Sequence, residues 1–557
     1  MDGSHAIVET LIKHGVTHTF GYPGGGIVPV FDALLDHKAD IRNILMRHEQ
    51  GAAHAADGFA RASGRPGVCI ATSGPGAANL VTGMLTAWMD SQPMIAMAGQ
   101  VSFKLIGHEA FQEADMVDIA LHTCKRDFQM DDPDRIFGVF NEAFRLTTEG
   151  RPGPVYIDLP KDVQTGELKG AIPAEVPASS PAFEGQRDRL GKIAEMIKGS
   201  KRPLVLIGGG VIASGASVAL MKFVEVTGIP VVRTLMAKGA IPDRHPLCLG
   251  MVGMYGTLTS NFAANRCDLI ISIGCRFADR TVTSREAFGP DAKIVHIDVD
   301  PKEIGENVKP DVAVVGDARL VLEELVAGVR DAGAGCDNAD WTGKLKELKE
   351  LESSEDISAD ESPLSQKRVF YDLRNFIKDE DIVVTGVGNH QMLADRYINR
   401  RYPRTFITSG GEGTMGLGLP AAIGAKLARP DAEVFNIDGD GSFQMTMEEL
   451  GVLAHENLKV ITIILKNEYL GMVRQWQGHV YGRDRYSSVH LGPMPDFAKI
   501  AEAYGLNGFR ASKAGEIGPC LEKAVASPKA SIIEVAVQKE EDYLPTKAMV
   551  SEEDFTR

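Results

Sequence analysis

No CxxC pair and no metal-ligand spacing occurs among the seven cysteines, at positions 69, 124, 248, 267, 275, 336 and 520. That argues against a disulfide framework or a zinc site, and predicts reduced thiols in a cytoplasmic protein. No apolar run is long and clean enough to span a bilayer, so no membrane association is expected. The opening stretch, MDGSHAIVETLIKHG, has the spacing of an amphipathic helix and lacks the apolar centre of a signal peptide. Positive charge is in deficit, with 59 Lys and Arg against 75 Asp and Glu for a net charge of −16. Such a surface repels phosphate backbones, which removes nucleic acid from the expected partners. The acidic residues are dispersed, and their densest run, LESSEDISADES near 351–362, reads as a solvated linker. Short-period repeats and low-complexity segments are also lacking.

What is there is an ordinary globular composition, 44% hydrophobic and 24% charged over 557 residues. Domains typically run to about 100–200 residues, so three are expected. Two breaks place them: a Pro-, Ala- and Ser-rich stretch near 171–185, and a charged helix followed by the acidic linker from about 332 to 364. They predict domains over 1–170, 186–330 and 365–557. Short apolar, β-rich runs alternate with helical patterns: GVCIAT, QPMIAMAG, PVYIDLP, PLVLIGGG, LIISIG, KIVHIDV, DIVVTGVG, EVFNIDGDG and KVITIIL. This is the pattern of α/β units whose parallel strands are buried on both faces, with ligands beyond the carboxyl ends of the strands.

The sharpest chemical signal is EVFNIDGDGSFQMTMEELGVLAHENLKVITIILKNEYLGMV. A strand ends at Asp438-Gly439-Asp440-Gly441-Ser442, a helix and a second strand follow, and Lys466-Asn467-Glu468-Tyr469 closes the unit. One βαβ unit puts both loops at the same sheet edge, so Asp440 and Asn467 can meet. A carboxylate and an amide oxygen suit Mg²⁺, which commonly shares its shell with phosphates. The glycines admit a diphosphate close to the backbone, and the helix start adds N–H donors. Alone, DGDG would also serve as a plain turn after a buried strand. In the middle of the chain, PLVLIGGGVIASGA reads as strand, Gly-rich turn and helix, either a dinucleotide-type loop or a bare structural turn.

GDG followed by Asn after a βαβ unit resembles the diphosphate motif of enzymes that use thiamine diphosphate (ThDP). The string RHEQGAAHAADGFARASGRPGVCIATSGPGAANLVTG supports the resemblance, because Glu49 matches the carboxylic acid that ThDP chemistry needs beside N1′ of its aminopyrimidine. Within that family the chain is most similar to the acetolactate synthases, through GYPGG, AFQE, GRPGPVYIDLPKDVQ, GCRFADR, GVGNHQM, TSGGEGTMGLGLPAAIGA and GMVRQWQ. The resemblance implies three doubly wound parallel-sheet domains: pyrimidine-binding, central nucleotide-binding-like and diphosphate-binding. It implies decarboxylation of pyruvate and carboligation to pyruvate or 2-oxobutanoate, the first common step of branched-chain amino acid synthesis. A sister carboligase, a flavin-dependent pyruvate oxidase and a catalytically silent regulatory paralogue are the rival expectations.

Roles follow from the resemblance by position. Asp440, Asn467 and the main-chain oxygen of Tyr469 would hold the metal. Ser91, Gln112, Asn389, His390, Gly413, Met415, Gly439, Gly441 and Ser442 would join Glu49 around ThDP, with Met415 beneath the thiazolium. Gly25, Phe111, Gln112, Lys161, Arg280, Met472 and Trp476 would face the reacting carbonyl or line its approach. Without the resemblance, Met415 and Trp476 would read as packing residues. An FAD without a redox role would be held by Arg151, Gly208, Gly209, Thr234, Leu235, Gly253, Met254, Gly274, Arg276, Asp298 and Asp317. A homodimer or tetramer with sites at the subunit interface is implied, with room for a small regulatory subunit. Ala278, Glu412, Lys466 and the C-terminal EEDYLPTKAMVSEEDFTR depart from the family pattern.

Overall fold

Among the described residues, eighteen strands assemble, in a computed structural model, into three six-stranded parallel sheets. The structure describes residues 1–170, 186–284, 286–331, 333, 337–353, 357–539, 545–547 and 549–555. The break near 171–185 and Cys336 lie outside them. The first sheet holds β1 (His18–Gly21), β2 (Arg42–Leu45), β3 (Gly67–Ala71), β4 (Met94–Gln100), β5 (Arg126–Gln129) and β6 (Pro154–Pro160). The second holds β7 (Pro203–Ile207), β8 (Val231–Arg233), β9 (Cys248–Met251), β10 (Leu269–Ile273), β11 (Lys293–Asp298) and β12 (Val312–Val315). The third holds β13 (Ile382–Thr385), β14 (Phe406–Ile407), β15 (Val434–Gly439), β16 (Ile461–Lys466), β17 (Asn507–Ala511) and β18 (Ser531–Ala536). Each apolar run singled out in the sequence is one of these strands.

The first and third sheets share one topology, β2-β1-β3-β4-β6-β5 and β14-β13-β15-β16-β18-β17. The second, β12-β11-β10-β7-β8-β9, has the order of dinucleotide-binding sheets. Each has a central switch point, between β1 and β3, β7 and β10, or β13 and β15, opening a crevice at the carboxyl ends. Those crevices receive GYPGG with ATSGPG, the GGG turn with GCRFADR, and GVGNHQM with DGDGS. The sheet topology thus delivers these six motifs to ligand-binding edges.

Helices cover both faces because the inner strands are apolar on both. Alternate residues of β3 diverge: Val68 and Ile70 pack with the N-terminal helix Gly3–Lys13, while Cys69 and Ala71 face a core that also contains Ile382, Val384 and Leu419. The first and third sheets therefore share a core. At its centre the helices Glu49–Ser63 and Gly418–Ala428 touch backbone to backbone. A Cβ at Gly58 would stand 2.5 Å from the Cα of Ala421, and one at Gly424 would stand 2.7 Å from the nitrogen of Phe59. Close approach on this scale requires glycine and favours the alanines around it.

The middle sheet has its own core, built on Val205, Ile207, Phe223 and Ile271. A buried charge cluster joins it to the third unit: Arg233 at the end of β8 pairs with Asp243 at 3.1 Å and with Asp395 at 2.7 Å, and Lys238 pairs with Asp243 at 2.9 Å. The C-terminal segment docks on the middle unit, with Thr546 N donating to Met254 O at 2.7 Å and Val550 buried beside Asn265. The six described cysteines are buried and unpaired. Among the described residues no helix is long and apolar enough to cross a membrane.

Candidate active site

At the carboxyl end of β15, Asp440 opens the helix Asp440–Gln444 and is 2% exposed. Its Oδ2 accepts the main-chain N–H groups of Asn467 at 3.0 Å and Glu468 at 2.6 Å, and its Oδ1 accepts that of Gly441 at 2.9 Å. Asn467 Oδ1 in turn accepts the N–H of Tyr469 at 3.0 Å. The left-handed φ of 66° at Glu468 folds these amides inward. Burial pushes the Asp440 carboxyl up to about 6 even though three N–H donors favour the anion. A cation would offset that burial. Among the described residues no three His, Cys, Asp or Glu side chains converge as a ligand group, so amide and main-chain oxygens would complete a shell here.

The neighbouring loops hold buried polar atoms that the chain itself leaves without a hydrogen-bond partner. Asn389 Oδ1 and His390 Nε2 are buried and have no hydrogen-bond partner. Buried polar atoms of this kind are rare without a ligand or water. Burial holds the His390 imidazole down at about 3, so it is neutral. Met415 reaches over Gly441, its Cε 3.6 Å from where a Cβ would lie, and Gly416 N donates to Ser442 Oγ at 3.1 Å. Met415, Gly441, Ser442, Asp440 and Asn467 thus gather at one edge. Lys466 turns away from them to Glu534 at 3.1 Å and to the carbonyl of Pro495.

Glu49 is the first residue of its helix and is 9% exposed. Its Oε2 accepts from Asn79 Nδ2 at 3.0 Å, and its Oε1 lies 3.0 Å from where a Cβ on Gly76 would be. Thr72 connects this corner to the GYPGG loop: its Oγ1 accepts from Gly26 N at 3.1 Å, and its side chain fills the space beside Gly24 and Gly76. Gly25 alone in that loop faces open space. Gln112, at φ 61°, abuts Gly74. The side-chain partner of the Glu49 carboxyl comes from the first unit, and the amides on the Asp440 carboxyl come from the third.

The middle crevice opens into a cavity of about 610 Å³ that all three units line. It takes in Arg151, Gly208, Gly209, Thr234, Leu235, Met254, Gly274, Arg276, Asp298 and Arg280 of the expected residues, with Gly413, Met472 and Trp476 from the third unit. Gly208 and Gly210 are demanded by contact with the backbone at Gly274, whereas Gly209 is free to meet a ligand. Arg151 is held by Ser91 Oγ at 2.9 Å and Glu303 at 2.8 Å, which places Ser91 in this cavity. Burial raises Asp298 to about 6. Tyr255 also lines the cavity and accepts the indole N–H of Trp476.

Some expected residues sit elsewhere. Asp317 accepts the N–H groups of Arg319 and Leu320 as the cap of the helix Ala318–Asp331 and does not line the cavity. Gly253 lies behind the wall, its N–H donated to Asn261. Phe111 is 89% exposed and Lys161 is also exposed, so the single chain does not bring them to either site. Sequence reasoning misses Thr72, Asn79, Tyr255 and Asp90, whose carboxylate accepts the N–H groups of Gly410 and Gly411 beside the cavity. Thr72 and Asn79 lie inside the quoted ATSGPGAAN string, but nothing in spacing marks them as neighbours of Glu49.

One switch point thus carries an acid at a helix start, and the topologically identical one carries an Asp–Asn pair closing a βαβ unit. Family models match along most of the chain. Residues 1–119 match the thiamine pyrophosphate enzyme N-terminal TPP binding domain, 190–325 the central domain, and 386–535 the C-terminal TPP binding domain. The chain is 47% identical to a protein of Methanocaldococcus jannaschii named probable acetolactate synthase large subunit, over 97% of this chain and 93% of that one. It is 44% identical to the acetolactate synthase large subunit of Corynebacterium glutamicum, over 94% and 84% of the two chains. With the acetolactate synthase of Mycobacterium bovis it shares 43% over 94% and 86%. The chain belongs to the thiamine pyrophosphate enzymes, in the acetolactate synthase large-subunit family.

Proposed function

We propose that this chain is an acetolactate synthase: it decarboxylates pyruvate and joins the two-carbon remainder to a second 2-keto acid, pyruvate or 2-oxobutanoate. The observation that carries the reading is the buried Glu49 carboxyl, bonded through one oxygen to Asn79, in a chain whose third unit presents the Asp440–Asn467 corner. ThDP, when bound, supplies the carbon nucleophile and the electron sink for decarboxylation. Asn79 fixes Oε2 of Glu49 as an acceptor, leaving Oε1 to carry the proton exchanged with N1′ of the pyrimidine. Asp440, Asn467 and the Tyr469 carbonyl would hold Mg²⁺ against the diphosphate, with Asn389, His390 and the Gly439–Ser442 turn as its donors and cradle. Met415, lying over Gly441, would support the bent cofactor.

FAD, without a redox role, suits the 610 Å³ cavity, with Gly209 toward its diphosphate and Arg151 and Arg276 as its charge partners. Arg280, Met472 and Trp476 would face the acceptor keto acid at the mouth of that cavity. The three domains run over 1–170, 186–330 and 365–557, in a cytoplasmic protein. Exposed apolar side chains in the segment that leads to Gln112, including Phe103 at 43% and Phe111 at 89%, support an assembly of at least two chains. There Gly25, Phe111, Gln112 and Lys161 of one chain would complete the other's site, and a small regulatory subunit is a further partner.

The test is to incubate the pure protein with ThDP, Mg²⁺, FAD and pyruvate. Acetolactate with CO₂ release and a flavin that stays oxidised is expected. A bleached flavin would indicate an oxidase, and absence of CO₂ would remove the catalytic reading.

A further inference from the structure

Glu449 lies nine positions beyond Asp440, at the end of the turn Met447–Glu449, and is completely buried. Its carboxylate reaches out of the third unit into the first. Oε2 accepts the N–H of Arg47 at 3.0 Å, and Oε1 accepts that of His48 at 3.1 Å. These are the two peptides immediately before Glu49. Gly51, one turn on, makes room for the carboxylate: a Cβ there would overlap Oε1 and stand 2.7 Å from Cδ. The clasp is closed from the other side by Arg47, whose Nη2 donates to Gly451 O at 3.1 Å. His48 caps the helix through its own ring, which accepts from Gln50 N at 3.1 Å. Peptide N–H groups at a helix start have no partner within the helix, and an acceptor supplied from another unit fixes where that helix begins.

We propose that Glu449 is a positioning residue for the proton-relay acid: by holding the Arg47 and His48 amides, it sets where the Glu49 carboxyl stands. The segment that carries the diphosphate-site aspartate therefore also places the pyrimidine-site glutamate. The proposal rests on the proton-relay reading of Glu49. Glu449 relays no proton in this role; its bonds are to main-chain donors. A misplacement on the order of 1 Å in a reacting group costs about 100-fold. Burial lifts the Glu449 carboxyl to about 8, against the pull of the two amides.

The experiment uses the holoenzyme and compares wild type, Glu449→Gln, Glu49→Gln and the double variant. The readouts are ThDP affinity and the rate at which the bound cofactor's C2 proton exchanges with deuterated water. Glu449→Gln is expected to bind ThDP within about threefold of wild type while exchange slows by about 10- to 100-fold. In the Glu49→Gln background the second substitution should slow exchange no further. Unchanged exchange in Glu449→Gln, or an additive loss in the double variant, overturns the proposal. Normal exchange in Glu49→Gln overturns the reading of Glu49 instead. Should Glu449→Gln fail to fold, amide exchange in the wild-type holoenzyme decides: the Arg47 and His48 amides are expected to be as protected as the sheet, and loop-like exchange there refutes the clasp.

Discussion

Replacing Gly208 and Gly209 by alanine, one at a time, should separate a glycine that the fold needs from one that a ligand needs. A Cβ at Gly208 would overlap the carbonyl oxygen of Gly274 and stand 2.7 Å from the Cα of Cys275 and 2.8 Å from the carbon of Gly274. All three are backbone atoms, so the strands β7 and β10 must move apart. Overpacking of this kind costs about 1–3 kcal/mol. In a unit of this size each kcal/mol shifts the melting temperature by about 2–4 °C. At Gly209 the nearest atoms are Met236 Cβ at 3.2 Å and Met236 O at 3.7 Å, so alanine fits with a slight shift. Gly209 lines the cavity, and its new methyl group would stand where the proposed FAD diphosphate approaches the turn. Losing a hydrogen bond to a charged group costs about 1.5–3 kcal/mol, which is roughly 10- to 100-fold in affinity.

The assay is thermal unfolding of the flavin-free proteins, paired with FAD titration followed by flavin fluorescence. Gly208→Ala should melt several degrees below wild type. Gly209→Ala should melt close to wild type and bind FAD more weakly by the stated factor. If Gly209→Ala held FAD at wild-type affinity, the diphosphate would not lie on this turn and the flavin reading of the cavity would fail. A melting point for Gly208→Ala equal to wild type would refute the packing argument.

Glu49→Gln should fold and bind ThDP but lose about 10²–10⁴-fold in turnover, since the amide cannot relay a proton at N1′; near-normal turnover contradicts that role. Asp440→Ala should weaken Mg²⁺ and ThDP binding together, and calorimetric titration returning unchanged ThDP affinity would remove the metal site from this corner. Trp476→Leu should keep acetolactate formation but lose preference for 2-oxobutanoate over pyruvate. A pocket discriminates one methylene by about 1–3 kcal/mol, and an unchanged product ratio in a mixture of the two acids leaves Trp476 as packing alone. His54 is fully buried, and burial pushes its imidazole down to about 3, against about 6.5 in the unfolded chain. Its contribution is intact above pH 6.5 and is lost as pH falls toward 3, by about 1.4 kcal/mol per pH unit. His54→Gln should therefore show a smaller drop in melting temperature than wild type between pH 7 and pH 5, and equal drops would contradict the assignment.

The inner strands were legible because they are apolar on both faces: every residue of β3, β4, β7 and β10 is buried. Edge strands such as β2 and β5, mostly exposed or half-exposed, carry no such run, and their pairing comes from the sheet they join. The DGDG–Asn spacing likewise announced its corner, because one βαβ unit fixes where both loops end. Glu49 was recognisable only through its surrounding string.

By itself the sequence determined the elements whose cause is local: periodicity, turn chemistry and the spacing of a motif within one supersecondary unit. Only the tertiary structure decided which glycines of the middle turn are structural, since Gly208 answers to Gly274 and Gly209 to a cavity. It alone assigned Asp317 to a helix cap, Asn79 to Glu49, and Glu449 to the peptides before Glu49. The last two of those contacts join residues 30 and 401 positions apart. The physical reason is that a hydrogen bond acts over about 3 Å of space, and separation along the chain does not constrain it.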